Sequence, residues 1–256
     1  MNLGLEGKVA LITGSSKGIG RSIGLCFAAE GCNVSLSARG NSKLRETERE
    51  VAELGVETQA TVGDLTTANG IEKVVGETLE RWGKIDILVN NVGGSIWNSF
   101  VDVTDEEWLD IFNLNMFAAV RASRAVLPIM LDRKQGSIIT ISSIFGREAG
   151  GPASYNATKA AEISMGKTLA KEVAHSGVRV NTVAPGSVIF PGGNWQARMD
   201  KDPEGIKRFV DQEIPAGRFG YPDEIADVVV FLASERASWV TGACINVDGC
   251  QSRSLI

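Results

Sequence analysis

The sequence is poor in several residue types that mark particular classes of protein. Its 256 residues include only four cysteines, one histidine, two tyrosines and seven prolines. The longest apolar run has about six residues, whereas a helix needs roughly 20 apolar residues to cross a bilayer. Residues 1–8 do not combine a basic stretch with an apolar one, as a signal peptide does. We therefore expect neither a membrane span nor a signal peptide, and a cytoplasmic location by default.

The cysteines and the histidine do not form a recognisable metal or redox site. Cys26 and Cys32, like Cys244 and Cys250, are separated by five residues, which is not a usual zinc spacing. We interpret all four as small apolar residues in a reducing compartment. His175 has no neighbour in the sequence that would orient it as a catalytic base. We expect no bound metal.

Charge of neither sign dominates the chain. It carries 26 basic and 31 acidic side chains, a formal net charge of −5, and no basic stripe that would bind nucleic-acid phosphates. With 43% hydrophobic and 22% charged residues, the composition is that of an ordinary globular protein. We expect a single domain over residues 1–256 and a small-molecule substrate, with no nucleic-acid or membrane partner.

Short apolar runs alternate with helical patterns along the whole chain. The runs predict strands at 8–13, 33–38, 57–62, 86–90, 137–142, 179–183 and 243–247. Helical periodicity predicts helices at 18–30, 42–54, 71–82, 105–132, 153–175 and 222–233. Uniformly apolar strands are typical of parallel sheets buried on both faces. The pattern predicts a single-domain α/β fold, a Rossmann-type doubly wound sheet of about seven parallel strands flanked by helices.

Residues 187–215 break this alternation. The segment contains several prolines and glycines, no strand pattern, and only a short helical pattern near 205–213. Long irregular segments in compact domains are usually lids or disordered. The side chains of Phe190, Trp195, Met199 and Phe209 favour a substrate lid over a solvated tail.

A glycine-rich turn follows the first predicted strand. The sequence TGSSKGIG occupies residues 13–20, and a helical pattern comes directly after it. Gly14, Gly18 and Gly20 allow a tight turn and a close approach of the backbone to a pyrophosphate. The N-terminus of the next helix offers free N–H groups and a partial positive charge to the same anion. This context predicts a dinucleotide-binding site.

The spacing of these glycines, Gly-x3-Gly-x-Gly, resembles that of the short-chain dehydrogenase/reductase family. Further motifs of the family follow in the expected order, so the resemblance covers nearly the whole chain. It implies a nicotinamide-dependent oxidoreductase acting on CH–OH or C=O groups. The chain is similar to 3-oxoacyl-[acyl-carrier-protein] reductase-like members, but a likeness at this level does not fix the substrate. By the resemblance, the loop contacts with the cofactor come from Gly14, Ser16, Lys17, Gly18, Ile19 and Gly20.

The end of the second strand indicates which nicotinamide cofactor is used. An acidic residue there would bind the ribose diol of NAD and repel a 2′-phosphate, but the position is held by Ala38. Arg39 follows it, and Lys17 lies in the glycine loop. Two cations facing one pocket suit a phosphate dianion, and basic residues at these positions resemble the family's NADP-preferring pattern. The sequence predicts NADP(H).

Tyr155 and Lys159 lie four residues apart in the predicted helix 153–175 and so project from one face. A free phenol has a pKa of about 10 and is a poor acid or base near neutrality. A nearby ammonium stabilises the phenolate form. We expect Tyr155 to give a proton to a carbonyl oxygen as hydride arrives from the cofactor, or to take it back in oxidation.

Two further polar pairs leave a choice of residue. Ser142 and Ser143 end the fifth predicted strand, at the sheet edge where open α/β sheets bind ligands. The family pattern assigns the catalytic hydroxyl to Ser143, but the spacing to Tyr155 is one residue shorter than in most relatives, so Ser142 remains an alternative. Asn115 matches the family's asparagine that helps to hold a water chain leading from the lysine, and Asn113 competes for this role.

The resemblance also implies cofactor contacts after the third, fourth and sixth strands. They come from Asp64, Leu65, Asn91, Gly93, Pro185, Gly186 and Val188, together with Tyr155 and Lys159. Asn90 is as compatible with bracing the sheet as with ligand contact. Phe190 replaces a threonine common in relatives, and is therefore a candidate for shaping the substrate pocket.

We therefore expect an NADP(H)-dependent oxidoreductase that interconverts a ketone and a secondary alcohol. An NAD-dependent alcohol or sugar dehydrogenase and a non-catalytic NADP-binding sensor or scaffold are the alternatives. By position, the candidates for the substrate pocket are Ser95, Ile96, Trp97, Phe100, Phe145, Glu148, Phe190 and Trp195. Relatives pack their last strand and helices between subunits, which implies a homodimer or homotetramer, although the apolar faces concerned would equally be buried within one subunit.

Overall fold

The computed structural model describes residues 2–255 and contains a parallel sheet of seven strands. The strands are β1 (Val9–Thr13), β2 (Asn33–Ala38), β3 (Thr58–Val62), β4 (Ile87–Asn90), β5 (Gly136–Ile141), β6 (Val178–Pro185) and β7 (Cys244–Val247). They are arranged in the order β3-β2-β1-β4-β5-β6-β7. The predicted doubly wound sheet is confirmed, and each predicted strand overlaps its observed counterpart.

Helices cover both faces of the sheet. They are α1 (Gly18–Ala29), α2 (Asn41–Ala52), α3 (Ala68–Trp82), α4 (Asp105–Phe112), α5 (Ala118–Asp132), α6 (Ala153–Val173), α7 (Asn194–Lys201), α8 (Pro203–Glu213) and α9 (Pro222–Ala233). One apolar cluster joins the sheet to α1, α2 and α9, and a second joins it to α3, α5 and α6. The core therefore consists of two layers, one on each side of the sheet.

Strand β1 illustrates why the strands are apolar throughout. Successive side chains of a strand point to opposite faces of its sheet. Ala10 and Ile12 belong to the first apolar cluster, whereas Leu11 between them belongs to the second. All five residues of β1 are buried. Because both faces are covered by helices, neither face of the strand has a position for a solvated side chain.

The order of the strands creates a crevice at one edge of the sheet. From β1 the chain proceeds outward to β2 and β3, and then returns to add β4 on the other side of β1. Loops at the carboxyl ends of β1 and β4 therefore leave in opposite directions. Ligands of open α/β sheets bind in the crevice at such a switch point, and this is where the glycine loop lies.

Two predicted helices differ from the observed ones. The predicted helix 105–132 is interrupted between α4 and α5 by a π-helical turn, Asn113–Phe117. Such turns insert one extra residue and are frequent at functional sites. The predicted helix 153–175 ends as α-helix at Val173 and continues as a 3-10 turn, Ala174–Ser176. Hydrophobic periodicity does not detect either change in helix type.

The predicted lid contains two helices, of which the sequence revealed only α8. Helix α7 has no fully buried residue and therefore no apolar stripe that periodicity would detect. The segment is held instead by stacked aromatic rings. The ring of Trp195 lies 4.6 Å from that of Phe209 and 5.0 Å from that of Phe219. Ile206 and Ile214 complete this small separate core.

Among the described residues, one continuous helical stretch, Asp105–Asp132, is long and apolar enough to cross a membrane by length and composition alone. The buried helices of globular proteins meet the same criterion. Here α5 packs against α3 and β4 and contributes six buried residues to the protein. These contacts account for its apolar face.

The four cysteines are free thiols. Burial, with a smaller contribution from Asp227, raises the pKa of Cys26 to about 11. Burial likewise raises the pKa of Cys32 to about 12. Within residues 2–255, no group of three or more histidine, cysteine, aspartate or glutamate side chains is arranged to hold a metal ion. Both thiols are protonated near neutral pH and pack as small apolar groups.

Candidate active site

A cavity of about 600 Å³ lies at the carboxyl ends of the strands. It is lined by sixteen of the eighteen residues for which the sequence predicts a catalytic or cofactor-binding role: Gly14, Ser16, Lys17, Ile19, Gly20, Arg39, Asp64, Leu65, Asn91, Gly93, Ser143, Tyr155, Lys159, Pro185, Gly186 and Val188. The other two of the eighteen, Gly18 and Asn115, are not part of its lining. The fold thus brings residues from most of the chain into one crevice.

The glycine loop has the backbone that its sequence requires. Gly14 and Gly18 adopt φ angles of +67° and +56°, in the left-handed region that favours glycine. A Cβ on Gly20 would overlap the Gly14 carbonyl oxygen and the Asn91 amide nitrogen. The same Asn91 amide donates hydrogen bonds of 3.0 Å to the carbonyl oxygens of Thr13 and Gly14. The first turn of α1 contains no acidic residue that would repel a phosphate.

The segment predicted to be a lid, residues 187–215, contacts this loop directly. The Lys17 ammonium donates a hydrogen bond of 3.1 Å to the carbonyl oxygen of Gly192. The ring of Phe190 lines the cavity and lies against Gly18, where a Cβ would be 2.6 Å from a ring carbon. Phe190 therefore packs on the glycine loop as well as facing the cavity. Lys17, which the sequence predicts to bind the 2′-phosphate, donates its hydrogen bond to the segment predicted to be a lid.

The lining of the cavity also combines two cations with one anchored acid. Lys17 and Arg39 line it with Asp64. Hydrogen bonds from the backbone and side chain of Thr66, aided by attraction to Arg39, lower the pKa of Asp64 below its ordinary value. The two bonds measure 3.0 and 2.8 Å and both reach the same carboxylate oxygen. Asp64 therefore shapes the loop after β3 while it faces the cavity.

Tyr155 and Lys159 lie together on α6 and line the cavity. The Lys159 ammonium lies 5.7 Å from the centre of the Tyr155 ring. It donates hydrogen bonds to the Ile141 carbonyl oxygen (3.0 Å) and to both carboxylate oxygens of Glu162 (2.9 and 3.1 Å). Burial lowers the pKa of Lys159, but attraction to Glu162 and Tyr155 outweighs it, so the net pKa lies above the ordinary value. An ammonium is thus held beside the phenol.

Glu162 is a buried acid that the sequence interpretation missed. It follows Tyr155 by seven residues and Lys159 by three, so all three share one helix face. Its side chain is 1% exposed. An acidic residue on the core face of a predicted helix requires a partner, and this requirement is the signal that would have found it.

The two serines after β5 have different partners. The Ser142 hydroxyl donates a hydrogen bond of 2.9 Å to the carbonyl oxygen of Lys159. The Ser143 hydroxyl oxygen accepts one of 3.1 Å from the backbone N–H of Phe145, which leaves its proton for another acceptor. Both serines line the cavity. This geometry favours Ser143 as the hydroxyl that faces a substrate oxygen.

The two asparagines of the π-helical turn are also distinguished by their contacts. Asn115 is fully buried; its side-chain oxygen accepts from the Gly94 N–H (2.8 Å), and its amide donates to Gly94 and Thr158 (3.0 Å each). Asn113 instead accepts from Arg121 at 2.8 Å. Asn115 therefore fixes the loop after β4 from behind the cavity lining, and its expected link to a water chain stays a prediction.

Asn90 lies in the interior of the sheet. It is 4% exposed, and its amide donates to the hydroxyls of Ser123 (3.0 Å) and Thr140 (3.4 Å). It is not part of the cavity lining. Of the two roles considered for it, the structure supports bracing the sheet.

The turn after β6 is held by the C-terminal segment. Gln251 accepts a hydrogen bond of 2.7 Å from the backbone N–H of Ser187 and donates one of 3.1 Å to its hydroxyl. A Cβ on Gly186 would lie 2.7 Å from both Asp248 and Gln251. The backbone of this turn thus reaches the cavity only because glycine lets the C-terminal segment approach.

Only part of the predicted substrate pocket lies at the cavity. Ser95, Phe190 and Trp195 line it, whereas the remaining candidates do not. Phe100 is 71% exposed and packs edge-to-face on Trp108.

Three other candidates make different contacts. Glu148 accepts hydrogen bonds from Ser252 and Arg253, Phe145 lies against two glycines of the following loop, and Trp97 stacks with Arg198 of the lid at 4.7 Å. Their positions along the chain did not reveal that these side chains contact neighbouring loops and the C-terminal segment.

Several known proteins that this chain resembles over nearly its whole length are reductases. A family model described as enoyl-(acyl carrier protein) reductase matches residues 14–250. The chain is 38% identical to the 3-oxoacyl-[acyl-carrier-protein] reductases of Thermotoga maritima and Escherichia coli, covering 96% of this chain and 98% of each relative. The L-sorbose reductase of Gluconobacter frateurii, solved with NADPH and L-sorbose, superposes with a TM-score of 0.94 at 36% identity and covers 100% of both chains. A levodione reductase superposes with a TM-score of 0.89 at 31% identity, covering 96% of this chain and 97% of that one.

Proposed function

The chain belongs to the short-chain dehydrogenase/reductase family of oxidoreductases, and we propose that it interconverts a ketone and a secondary alcohol with NADP(H). The observation that carries the proposal is the grouping of Tyr155, Lys159 and Ser143 in the cavity that the glycine loop also lines. Hydride transfer is the chemistry that a bound nicotinamide supplies. The side chains of this protein have to bind, orient and exchange one proton.

Each of these side chains has one task in the proposal. Ser143 has a hydroxyl proton available to hold the substrate oxygen. Tyr155 donates a proton to that oxygen in reduction and accepts it in oxidation. Lys159 keeps an ammonium beside the phenol and so stabilises the phenolate that remains after donation. Asn115 holds the loop after β4 against α6 through Gly94 and Thr158.

The preference for NADP(H) rests on charge at the end of β2. Lys17 and Arg39 line the cavity there, and Ala38 occupies the position where an acid would bind a ribose diol. The similar L-sorbose reductase was solved with NADPH, which supports the same cofactor here. The remaining cofactor contacts are proposed for the cavity-lining residues Gly14, Ser16, Ile19, Gly20, Asp64, Leu65, Asn91, Gly93, Pro185, Gly186 and Val188, with Gly18 supporting the loop.

The substrate is proposed only as a class. By their names, the relatives are a 3-oxoacyl-[acyl-carrier-protein] reductase and an L-sorbose reductase. The chemistry that they share is the reduction of a carbonyl group to a secondary alcohol. A single domain over residues 1–256, a substrate lid at about 187–215, assembly as a dimer or tetramer, and a cytoplasmic location all stay predictions.

The proposal is tested by titrating the purified protein with NADPH and with NADH while following nucleotide fluorescence. We expect clear preference for NADPH, followed by NADPH consumption in a screen of ketones. Preference for NADH would replace the cofactor assignment and favour an NAD-dependent alcohol or sugar dehydrogenase. Binding of NADPH without turnover of any carbonyl class would favour a sensor or scaffold, and binding of neither would overturn the proposal.

A further inference from the structure

The proposed reaction leaves one buried acid at the site without a role. Glu162 is 1% exposed, and its carboxylate is paired with the Lys159 ammonium at 2.9 and 3.1 Å. Burying two charges costs several kcal/mol per ion, and a well-packed apolar pair of similar volume is often as stable. A contribution to stability is therefore a weak explanation for an ion pair in this position.

Its position relates Glu162 to the proposed acid and base. Tyr155, Lys159 and Glu162 occupy positions i, i+4 and i+7 of α6, a stripe along one face of the helix. The ammonium has three N–H donors. The Ile141 carbonyl oxygen and the two Glu162 carboxylate oxygens accept hydrogen bonds from this set, which fixes the position of the ammonium.

We propose that Glu162 is a positioning residue of the reaction, which holds the Lys159 ammonium in place, offsets its charge, and so sets the pH range in which Tyr155 exchanges its proton. This proposal rests on the proposed acid–base function of Tyr155. Glu162 does not reach the reacting atoms, and it acts only through Lys159.

The sign of the effect follows from two arguments that agree. Without the carboxylate charge, the field of the ammonium at the phenol is no longer offset, and the phenolate becomes more favourable. Without its counter-charge, the buried ammonium is also less favourable, because burial lowers the pKa of Lys159 and Glu162 opposes that effect. Under either argument the Tyr155–Lys159 pair loses its first proton at a lower pH, as expected for coupled sites.

Few charged or titratable groups act on the ion pair of Lys159 and Glu162. The charged and titratable groups that act on Lys159 are Glu162 and Tyr155, both on α6 itself. Lys159 acts on Glu162, as does the hydroxyl of Ser142 at the end of β5. Burial raises the pKa of Glu162, and the ammonium and this hydroxyl lower it only in part. The pair is therefore isolated from the other charges of the described chain.

The test compares the pH dependence of carbonyl reduction in wild type, Glu162→Gln and Glu162→Asp. Reduction needs the phenol proton and the ammonium, so its rate falls on the alkaline side. For Glu162→Gln we expect this fall to move to lower pH by about one unit or more. Glu162→Asp keeps the charge, and we expect it to restore most of the wild-type profile.

Asp86→Asn is the matched control. Asp86 is a second buried carboxylate, paired with Lys84 and Arg133 at 3.2 Å each and remote from the cavity. Its loss should reduce stability without moving the pH profile. If Glu162→Gln has the wild-type profile, or if Asp86→Asn moves the profile equally, the proposal is overturned.

A second measurement needs neither turnover nor cofactor. The chain has two tyrosines, so in a Tyr221→Phe background the near-ultraviolet absorbance of phenolate reports Tyr155 alone. We expect the phenolate onset to move when Glu162→Gln is added, to lower pH if the phenol of the pair loses its proton first and to higher pH if the ammonium does; an unchanged onset would overturn the proposal. Because this signal exists without a substrate, failure of the proposed reaction is distinguishable from failure of the role assigned to Glu162. If Glu162→Gln does not fold, the same titration of Glu162→Asp must give the wild-type onset.

Discussion

The Lys17 ammonium and the Gly192 carbonyl oxygen are joined by a hydrogen bond of 3.1 Å, which links the glycine loop to the lid. The bond lies at an exposed position, where a hydrogen bond contributes about 1 kcal/mol. Lys17 is also one of the two cations proposed for a 2′-phosphate. We therefore expect the same donor to connect the predicted lid with the proposed 2′-phosphate site.

We expect Lys17→Met, which keeps the aliphatic stem and removes the donor, to loosen the lid in the absence of cofactor. Chymotrypsin should cut the lid at its aromatic residues up to about fivefold faster, as expected for the loss of roughly 1 kcal/mol. Mass spectrometry locates the cuts. Lys73→Met is the matched control, because Lys73 also donates to a backbone carbonyl, that of Val62, away from the lid. Equal cleavage of the two variants would contradict a role for Lys17 in holding the lid.

Arg39→Asp should weaken NADPH far more than NADH. Loss of a hydrogen-bonded cation costs roughly 1.5–3 kcal/mol, so we expect the Kd for NADPH to rise about 10- to 100-fold. The introduced acid should leave the NADH Kd nearly unchanged or improve it. Arg49→Asp reverses the same charge on exposed α2, outside the cavity, and controls for the general field. Equal effects of Arg39→Asp on both nucleotides would remove the 2′-phosphate assignment.

The sheet was predictable from sequence because its cause is local and repeated. Strands such as β1 and β5 are buried along their whole length, so each is a mainly apolar run between turns. Helix α7 was not predictable, because it contributes no fully buried residue and is held by the stacking of Trp195 on rings from other segments. Contacts of this kind leave no periodic pattern in the sequence.

Among the residues of the candidate site, too, those placed by local spacing were predictable and those distinguished by contacts with distant segments were not. Tyr155 and Lys159 were found because their spacing is meaningful within one helix. Ser142 and Ser143 were not distinguishable by sequence, because the difference lies in which backbone atom each hydroxyl contacts. Glu148 was assigned to the substrate pocket because no sequence pattern indicated that the C-terminal segment would bind its carboxylate.

Tyr155→Phe removes the proposed acid with one oxygen atom. General acid catalysis contributes roughly 100- to 10,000-fold, and we expect turnover to fall by at least this range while NADPH binding changes little. Steady-state reduction and a fluorescence titration on the same preparation separate the two effects. The only other tyrosine, Tyr221, lies at the start of α9, and Tyr221→Phe should retain activity. Substantial turnover by Tyr155→Phe would eliminate the tyrosine as the acid.

Ser143→Ala should lower the rate of catalysis, whereas Ser142→Ala should lower the stability of the protein. Loss of a donor to a developing oxyanion costs about 100- to 1,000-fold in kcat, and we expect this for Ser143→Ala, with little change in melting temperature. Ser142→Ala removes the hydroxyl hydrogen bond to the Lys159 carbonyl oxygen, which should lower stability by about 1 kcal/mol. Measurement of kcat and of thermal unfolding for each variant checks the assignment. If Ser142→Ala has the larger loss in kcat at unchanged stability, the two roles are reversed.

Two helical glycines provide opposite predictions for the same substitution. A Cβ on Gly20 in α1 would overlap the Gly14 carbonyl oxygen and the Asn91 amide, neither of which can move without opening the glycine loop. Gly20→Ala should therefore destabilise the protein by roughly 1–3 kcal/mol and weaken nucleotide binding. Gly76 lies within α3, and a Cβ on it would have no atom of another residue within 4 Å beyond its own helix backbone, so Gly76→Ala should stabilise by roughly 0.5–1 kcal/mol through the unfolded chain. Thermal unfolding of both variants decides the point, since equal effects would mean that α1 does not need glycine for the approach of the loop.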